Sequence, residues 1–210
     1  MSWWAAAMPS PDVVAFVRVA LPAAPARVLE VGAGDGTLAA ALREAGYDVV
    51  ALDPAGGDGI LDVPLHELDA PAASFDAAVA VVSLHHLQPQ ARSCRRLGEV
   101  LKPRAPLIVD EFDVDRLDER AVAWWLAQRQ AIGSPREESP AEHVAEMRAH
   151  LHPVARIAEE LAPWFDVGAP VPGAFLYRRH LDWALRPVEE ALIASGELPA
   201  AGLRFIATRR

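Results

Sequence analysis

Two carboxylates bracket a run of closely spaced glycines in this chain, and a pair of adjacent histidines follows further along. Glu30 stands just before Gly32, Gly34 and Gly36, which alternate with Ala33 and Asp35, and Asp53-Pro54 comes later. Glycine lacks a Cβ and tolerates positive φ, so such a turn is tight and lets a ligand approach the backbone. A helix starting at Thr37 aims its free N–H groups and positive dipole end into the turn, which suits an anionic or polar ligand. An acid about 20 residues past a glycine turn, at the end of the next strand, can chelate ribose hydroxyls, and Asp53 has that place. Asp-Pro also opens turns, so a purely structural role for Asp53 stays open. His85 and His86 titrate near neutrality and suit a general base acting on a hydroxyl or amine. They equally fit the start of a helix, one packing on a bound cofactor and the other capping or facing solvent.

Further side chains carry alternatives. Asp110 and Glu111 end an apolar run, where they either bind a substrate cation, serve as a base or cap the residues that follow. His143 and His150 share a helical face that His152 does not, and no carboxylate–histidine spacing accompanies them, so no metal is expected. Trp124-Trp125 and Phe175-Leu176-Tyr177 either line an aromatic pocket or fill core. Cys94, the one cysteine, falls in a helical pattern and reads as a small core filler.

These residues need a scaffold that brings strand ends together. Apolar runs at 28–31, 48–52, 60–65, 77–83, 105–109, 171–177 and 203–208 read as strands. Helical patterns cover Asp12 to Ala20, opened by Ser10-Pro11, then Thr37 to Ala45 with Gly46 as stop, and Pro89 to Leu101. Leu117 to Ile132, Ala141 to Leu151, Val154 to Leu161 and His180 to Ala194 follow. Gly56-Gly57-Asp58-Gly59 occupies the place of a second crossover helix and is too short and glycine-rich to form one. The alternation implies an α/β, Rossmann-like three-layer sandwich with a mostly parallel sheet. Residues 1–210 are expected to form a single domain, with an N-terminal helix within 1–24 and a helical lid at 113–163 inserted between strands five and six.

The glycines read G-x-G-x-G, whereas a dinucleotide fingerprint needs G-x-G-x-x-G and here has Thr37 at its third position. With Glu30 before it, this stretch resembles the first motif of the class I S-adenosylmethionine-dependent methyltransferases. Ser74-Phe75-Asp76 and Ser83-Leu84-His85-His86-Leu87 are similar to the segments that open and close the fourth strand in small-molecule members. Leu101-Lys102-Pro103-Arg104-Ala105-Pro106-Leu107 looks like the turn before the fifth strand, with Arg104 and Ala105 in place of the usual glycine pair. Matched motifs cover residues 25–112.

The resemblance implies a seven-stranded sheet with an antiparallel last strand, S-adenosylmethionine as cofactor and methyl transfer to a small-molecule acceptor. It implies a cofactor site of Glu30, Gly32, Ala33, Gly34, Gly36, Asp53, Pro54, Ser83 and Leu84, with Glu30 facing the methionine ammonium. Glu67, ahead of Asp69 and Asp62, is the expected adenine contact, or Leu68 through its backbone N–H. His85 is the candidate base, and His86, Glu111, Trp124, His152 and Tyr177 are candidate substrate contacts. A non-catalytic adenosyl-binding module and a nicotinamide-dependent oxidoreductase are the alternative readings.

Bulk properties narrow the partners. A net charge of −9 without a basic stripe disfavours nucleic acid. No run of 18 apolar residues occurs, which argues against a membrane span. The first eight residues carry no basic leader, so a cytoplasmic monomer or homodimer is expected.

Overall fold

The computed structural model of the protein describes residues 10–134 and 139–210. The strands are β1 (Arg27–Val31), β2 (Asp48–Leu52), β3 (Ile60–Leu61), β4 (Ala77–Val81), β5 (Pro106–Phe112), β6 (Phe165–Val167), β7 (Val171–Gly173) and β8 (Gly202–Arg209). They form one sheet in the order β3-β2-β1-β4-β5-β8-β6, and β7 also pairs with β8. The first five are mutually parallel; β8 is antiparallel to β5, β6 and β7. Strand order reverses between β1 and β4, and α/β sheets open a ligand crevice beyond the carboxyl ends of strands at such a switch point.

The helices are α1 (Pro11–Ala20), α2 (Thr37–Glu44), α3 (Gln90–Val100), α4 (Glu119–Ala131), α5 (Pro140–His150), α6 (Val154–Leu161) and α7 (Arg186–Ala194). Alternate strand residues point to opposite faces, and each face finds its own cover. Leu29, Val31, Ala80 and Val109 pack under α3 and α6, together with the buried Cys94. Val28, Ala51, Val79 and Ile108 pack under α1 and α2. Burial pushes the Cys94 thiol up to about 12, so it behaves as a small apolar side chain. Among the described residues, no helix is long and apolar enough to cross a membrane.

Several elements differ from the sequence reading. Among the described residues the sheet has eight strands, because Phe165–Val167 adds a short strand with too few residues to show a period. The expected strand 171–177 stops at Gly173, and Leu176–Arg178 turns into a 3-10 helix. Its cause is Glu189, whose carboxylate accepts the N–H groups of Phe175, Leu176 and Tyr177 that a strand would have used. Strand β3 is two residues long, since the chain turns through a 3-10 helix at Leu65–Glu67. Of the expected lid, α4 and α5 build a separate cluster on Phe112 and Phe175. Helix α6 instead covers the main sheet as an ordinary flanking helix. Residues 1–9 of the expected N-terminal segment and 135–138 of the lid lie outside the described residues.

Candidate functional site

Strand β1 ends in a turn whose three glycines all have positive φ: 70° at Gly32, 55° at Gly34 and 76° at Gly36. A Cβ on Gly32 would run into the Ser83 side chain at the end of β4. Glycine therefore lets the exits of β1 and β4 close on each other, and Ser83 Oγ donates to the Val31 carbonyl at 2.7 Å. The Gly32 and Ala33 N–H groups donate to the Leu52 carbonyl on β2 at 2.9 and 3.0 Å. Asp53 completes the corner: its carboxylate accepts the Gly34 N–H at 3.0 Å and the Ala55 N–H at 2.9 Å.

A cavity of about 800 Å³ opens over these strand ends. Glu30, Gly32, Ala33, Gly34, Asp53 and Pro54 line one side. Pro64, Leu65 and His66 form a second wall, and Val82, Ser83, His86, Leu87, Gln88 and Ser93 a third. Glu30 is 3% exposed. Burial pushes its carboxyl up to about 8, although Arg43 draws it back somewhat, and its Oε2 has no hydrogen-bond partner among the described residues. A buried acid left this way is stabilised by a cation, and an ammonium group supplies one. Asp53 keeps lone pairs for hydroxyls beyond its two backbone bonds. A ligand bearing an amine and a sugar fits this donor set.

Glu111 organises the opposite wall. Fully buried, it accepts the Ser83 and Leu84 N–H groups at 2.7 and 2.6 Å and the His85 Nδ1–H at 2.6 Å. This anchors a 3-10 turn at Leu84–His86. Val82, just before it, has a φ of 52°, a strained conformation for a β-branched residue.

The structure brings only part of the expected set together. Gly36, Glu67, Leu68, Leu84 and His85 do not line the cavity. His85 is 2% exposed and engaged by Glu111, so of the adjacent pair it is His86 that lines the cavity. Glu67 points to solvent, Leu68 packs into the core, and His66 from that segment lines the wall instead. Trp124 packs in the α4–α5 cluster. Tyr177 lies away from the cavity because its hydroxyl donates to Asp12 at 2.8 Å, joining α1 to the 3-10 turn. Asp110 is held by Arg178 and Arg204 at 2.6 and 2.5 Å, which leaves it no role as a base. His152 does not line the cavity but touches Gln88, which does: its Nε2 accepts from the Gln88 amide at 2.9 Å, and its backbone N–H donates to the His85 carbonyl at 3.1 Å. His66, Gln88 and Ser93 are cavity residues that sequence reasoning missed, because none sits in a recognisable spacing. Among the described residues, no group of three or more His, Cys, Asp or Glu is placed to hold a metal.

Comparison with known proteins bears on this cavity. A family model described as a methyltransferase domain matches residues 10–158. An uncharacterized methyltransferase of Mycobacterium tuberculosis is 32% identical over 165 residues, covering 72% of this chain and 80% of that protein. A crystal structure of an S-adenosylmethionine-dependent methyltransferase from Mesorhizobium loti shares the fold with a TM-score of 0.60 and 19% identity, covering 96% of this chain and 98% of that one. The 1,6-didemethyltoxoflavin-N1-methyltransferase of Burkholderia thailandensis, solved with 1,6-didemethyltoxoflavin and S-adenosylhomocysteine bound, superposes with a TM-score of 0.56 and 19% identity. That match covers 98% of this chain and 80% of the other.

Proposed function

The chain belongs to the class I S-adenosylmethionine-dependent methyltransferases, and from that premise we propose that it methylates a small-molecule acceptor in the cavity over β1, β2 and β4. When bound, S-adenosylmethionine supplies a methyl group already activated on a sulfonium, so the protein's task is alignment and exclusion of water. One observation carries the reading: the buried Glu30, whose Oε2 has no partner among the described residues, and the loop-bound Asp53 line one cavity on either side of the glycine turn. Glu30 would take the methionine ammonium and Asp53 the ribose hydroxyls. Support for a small-molecule acceptor comes from the Burkholderia enzyme, whose structure holds one.

His86 supplies the polar group at the cavity's β4 end. Partial burial first, and then the neighbouring His85, hold its imidazole well below the ordinary value, so it is neutral at physiological pH. An imidazole so depressed is a weak base, and its use is to accept a hydrogen bond from the acceptor's O–H or N–H and orient the lone pair. Once a substrate is in hand, His86→Ala is expected to lower kcat about tenfold to a hundredfold while S-adenosylhomocysteine affinity stays within about threefold. An unchanged kcat would remove His86 from this role.

Glu30 supplies a test of cofactor binding that needs no acceptor. Unliganded, its carboxyl stays protonated up to about pH 8. Binding an ammonium favours the carboxylate, so binding below pH 8 must expel a proton, and affinity must rise with pH up to that point. Calorimetry of S-adenosylhomocysteine at pH 7 in buffers of different ionisation enthalpy is expected to show release of close to one proton. Glu30→Gln should abolish the release and weaken binding about tenfold or more. The unliganded fold behaves in the opposite sense: a raised carboxyl loses stability as pH climbs from 4.5 toward about 8, and Glu30→Gln removes that slope. Tight binding with no proton released would contradict the placement of the ammonium.

A further inference from the structure

The charge of the cavity wall limits what an acceptor can be. Among the described residues, no lysine or arginine lines the cavity, and its acids are Glu30, Asp35 and Asp53. All three belong to the end of β1, the glycine turn and the residue after β2. The β4 end carries only neutral groups, chiefly Ser83, His86, Leu87 and Gln88. An anionic acceptor would enter beside acidic groups with no cation of the protein to meet it, and such juxtaposition is unfavourable. A neutral acceptor that donates hydrogen bonds suits this end instead.

Gln88 is oriented from outside the cavity. Its Nε2 lies 2.9 Å from His152 Nε2. Partial burial first, and then Arg156, hold the His152 imidazole below its ordinary value, so the ring is neutral. It also donates to the Leu87 carbonyl, which claims its one proton and leaves Nε2 as the acceptor. The Gln88 amide nitrogen is therefore the donor, and its carbonyl oxygen carries no bond among the described residues. The segment bearing His152 is itself fixed on both sides. Its backbone N–H donates to the His85 carbonyl at 3.1 Å, and the Val154 N–H donates to Asp113 Oδ1 at 3.2 Å. On the cavity wall, the depressed His86 imidazole supplies a second neutral acceptor close by in the chain.

Two acceptors fit one kind of nucleophile well. A neutral primary amine has two N–H groups and one lone pair, so engaging both hydrogens leaves the lone pair free to align with the methyl group. A hydroxyl has a single hydrogen and needs a base to take it, for which His86 is poorly matched. We propose that the acceptor is a primary amine held by the His86 imidazole and the Gln88 carbonyl oxygen, with His152 as the residue that positions Gln88. This rests on the cofactor reading above. The nitrogen lone pair forms the bond to the methyl carbon as the carbon–sulfur bond breaks, and that bonding pair stays on sulfur as a neutral thioether. The methylated nitrogen takes up the positive charge and then releases a proton to water.

The test uses three analogues of S-adenosylhomocysteine in which nitrogen replaces the sulfur and carries an arm into the acceptor space: aminoethyl, propyl or carboxyethyl. By calorimetry, wild-type protein is expected to bind the aminoethyl compound about tenfold more tightly than the propyl compound. The carboxyethyl compound should bind about tenfold more weakly than the propyl one. Gln88→Leu and His152→Phe should each bring the aminoethyl and propyl compounds within about threefold of each other. His152→Gln, which keeps an acceptor for the Gln88 amide, should retain most of the preference. Affinity for S-adenosylhomocysteine itself should stay within about threefold of wild type in all three variants, and thermal melts confirm that each retains the fold. Equal binding of the three arms, a preference for the carboxyethyl arm, or rejection of every arm beside tight S-adenosylhomocysteine binding overturns the proposal. So does an aminoethyl preference that survives Gln88→Leu. Wild-type protein that fails to bind S-adenosylhomocysteine would instead sink the cofactor reading itself, so the two failures are distinct.

Discussion

Glu111→Leu is expected to destabilise the fold by about 3–6 kcal/mol. The carboxylate is fully buried and accepts three donors: the Ser83 and Leu84 N–H groups through Oε1 and the His85 Nδ1–H through Oε2. An apolar replacement leaves all three buried without a partner, and each orphaned donor costs about 1–3 kcal/mol. Against a typical total stability of about 5–15 kcal/mol, that is a large share. Glu111→Gln keeps one oxygen for the two backbone donors, while His85 must change tautomer to meet the amide, so its loss should be about half as large. The same turn carries Ser83 and His86 into the cavity, so ligand affinity should fall along with stability in both variants. Denaturant unfolding of the three proteins reads the stability order directly. Glu111→Leu within about 1 kcal/mol of wild type would show that the turn after β4 is held by packing alone.

How far the sequence anticipates this arrangement depends on the range of the constraint at each residue. The corner formed by Glu30, the glycines and Asp53 is local. Two short strands and the tight turn between β1 and α2 fix where those side chains go, so their types and spacing suffice. The segment after β3 is harder. In a 3-10 turn of three residues, Leu65 enters the core, His66 faces the cavity and Glu67 faces solvent, and no period announces which is which. The histidine pair poses the same problem. Adjacent residues on one turn diverge, and the partner that claims His85 is Glu111 on the neighbouring strand, which only the parallel pairing of β4 and β5 brings near. Tyr177 is decided from still farther away, by Asp12 on α1. The aromatic and β-branched residues of 171–177 favour a strand, yet Glu189 on α7 captures their N–H groups and turns the chain. Wherever a buried carboxylate from a distant element takes up backbone donors, local propensity loses.

Asp53→Ala is expected to weaken S-adenosylhomocysteine binding about a hundredfold while leaving the fold largely intact. The carboxylate has two tasks that can be separated. Toward the protein it accepts the Gly34 and Ala55 N–H groups, in a partly exposed position where water can replace it. Losing those bonds should cost the unliganded protein about 1 kcal/mol. Toward a ligand it offers its remaining lone pairs to two ribose hydroxyls, and hydrogen bonds to a charged acceptor contribute about 1.5–3 kcal/mol each. Two such bonds correspond to a hundredfold or more in Kd. Asp53→Asn retains the shape and one acceptor oxygen, so it should fall between wild type and Asp53→Ala. A double-mutant cycle with the 2′-deoxy analogue of S-adenosylhomocysteine isolates the sugar contact from any disturbance of the glycine turn. Wild-type protein should bind the deoxy compound about tenfold more weakly than the parent, whereas Asp53→Ala should bind both alike. If Asp53→Ala still discriminated between them as wild type does, the ribose would be held elsewhere, and Asp53 would serve only to brace the loop between β1 and α2.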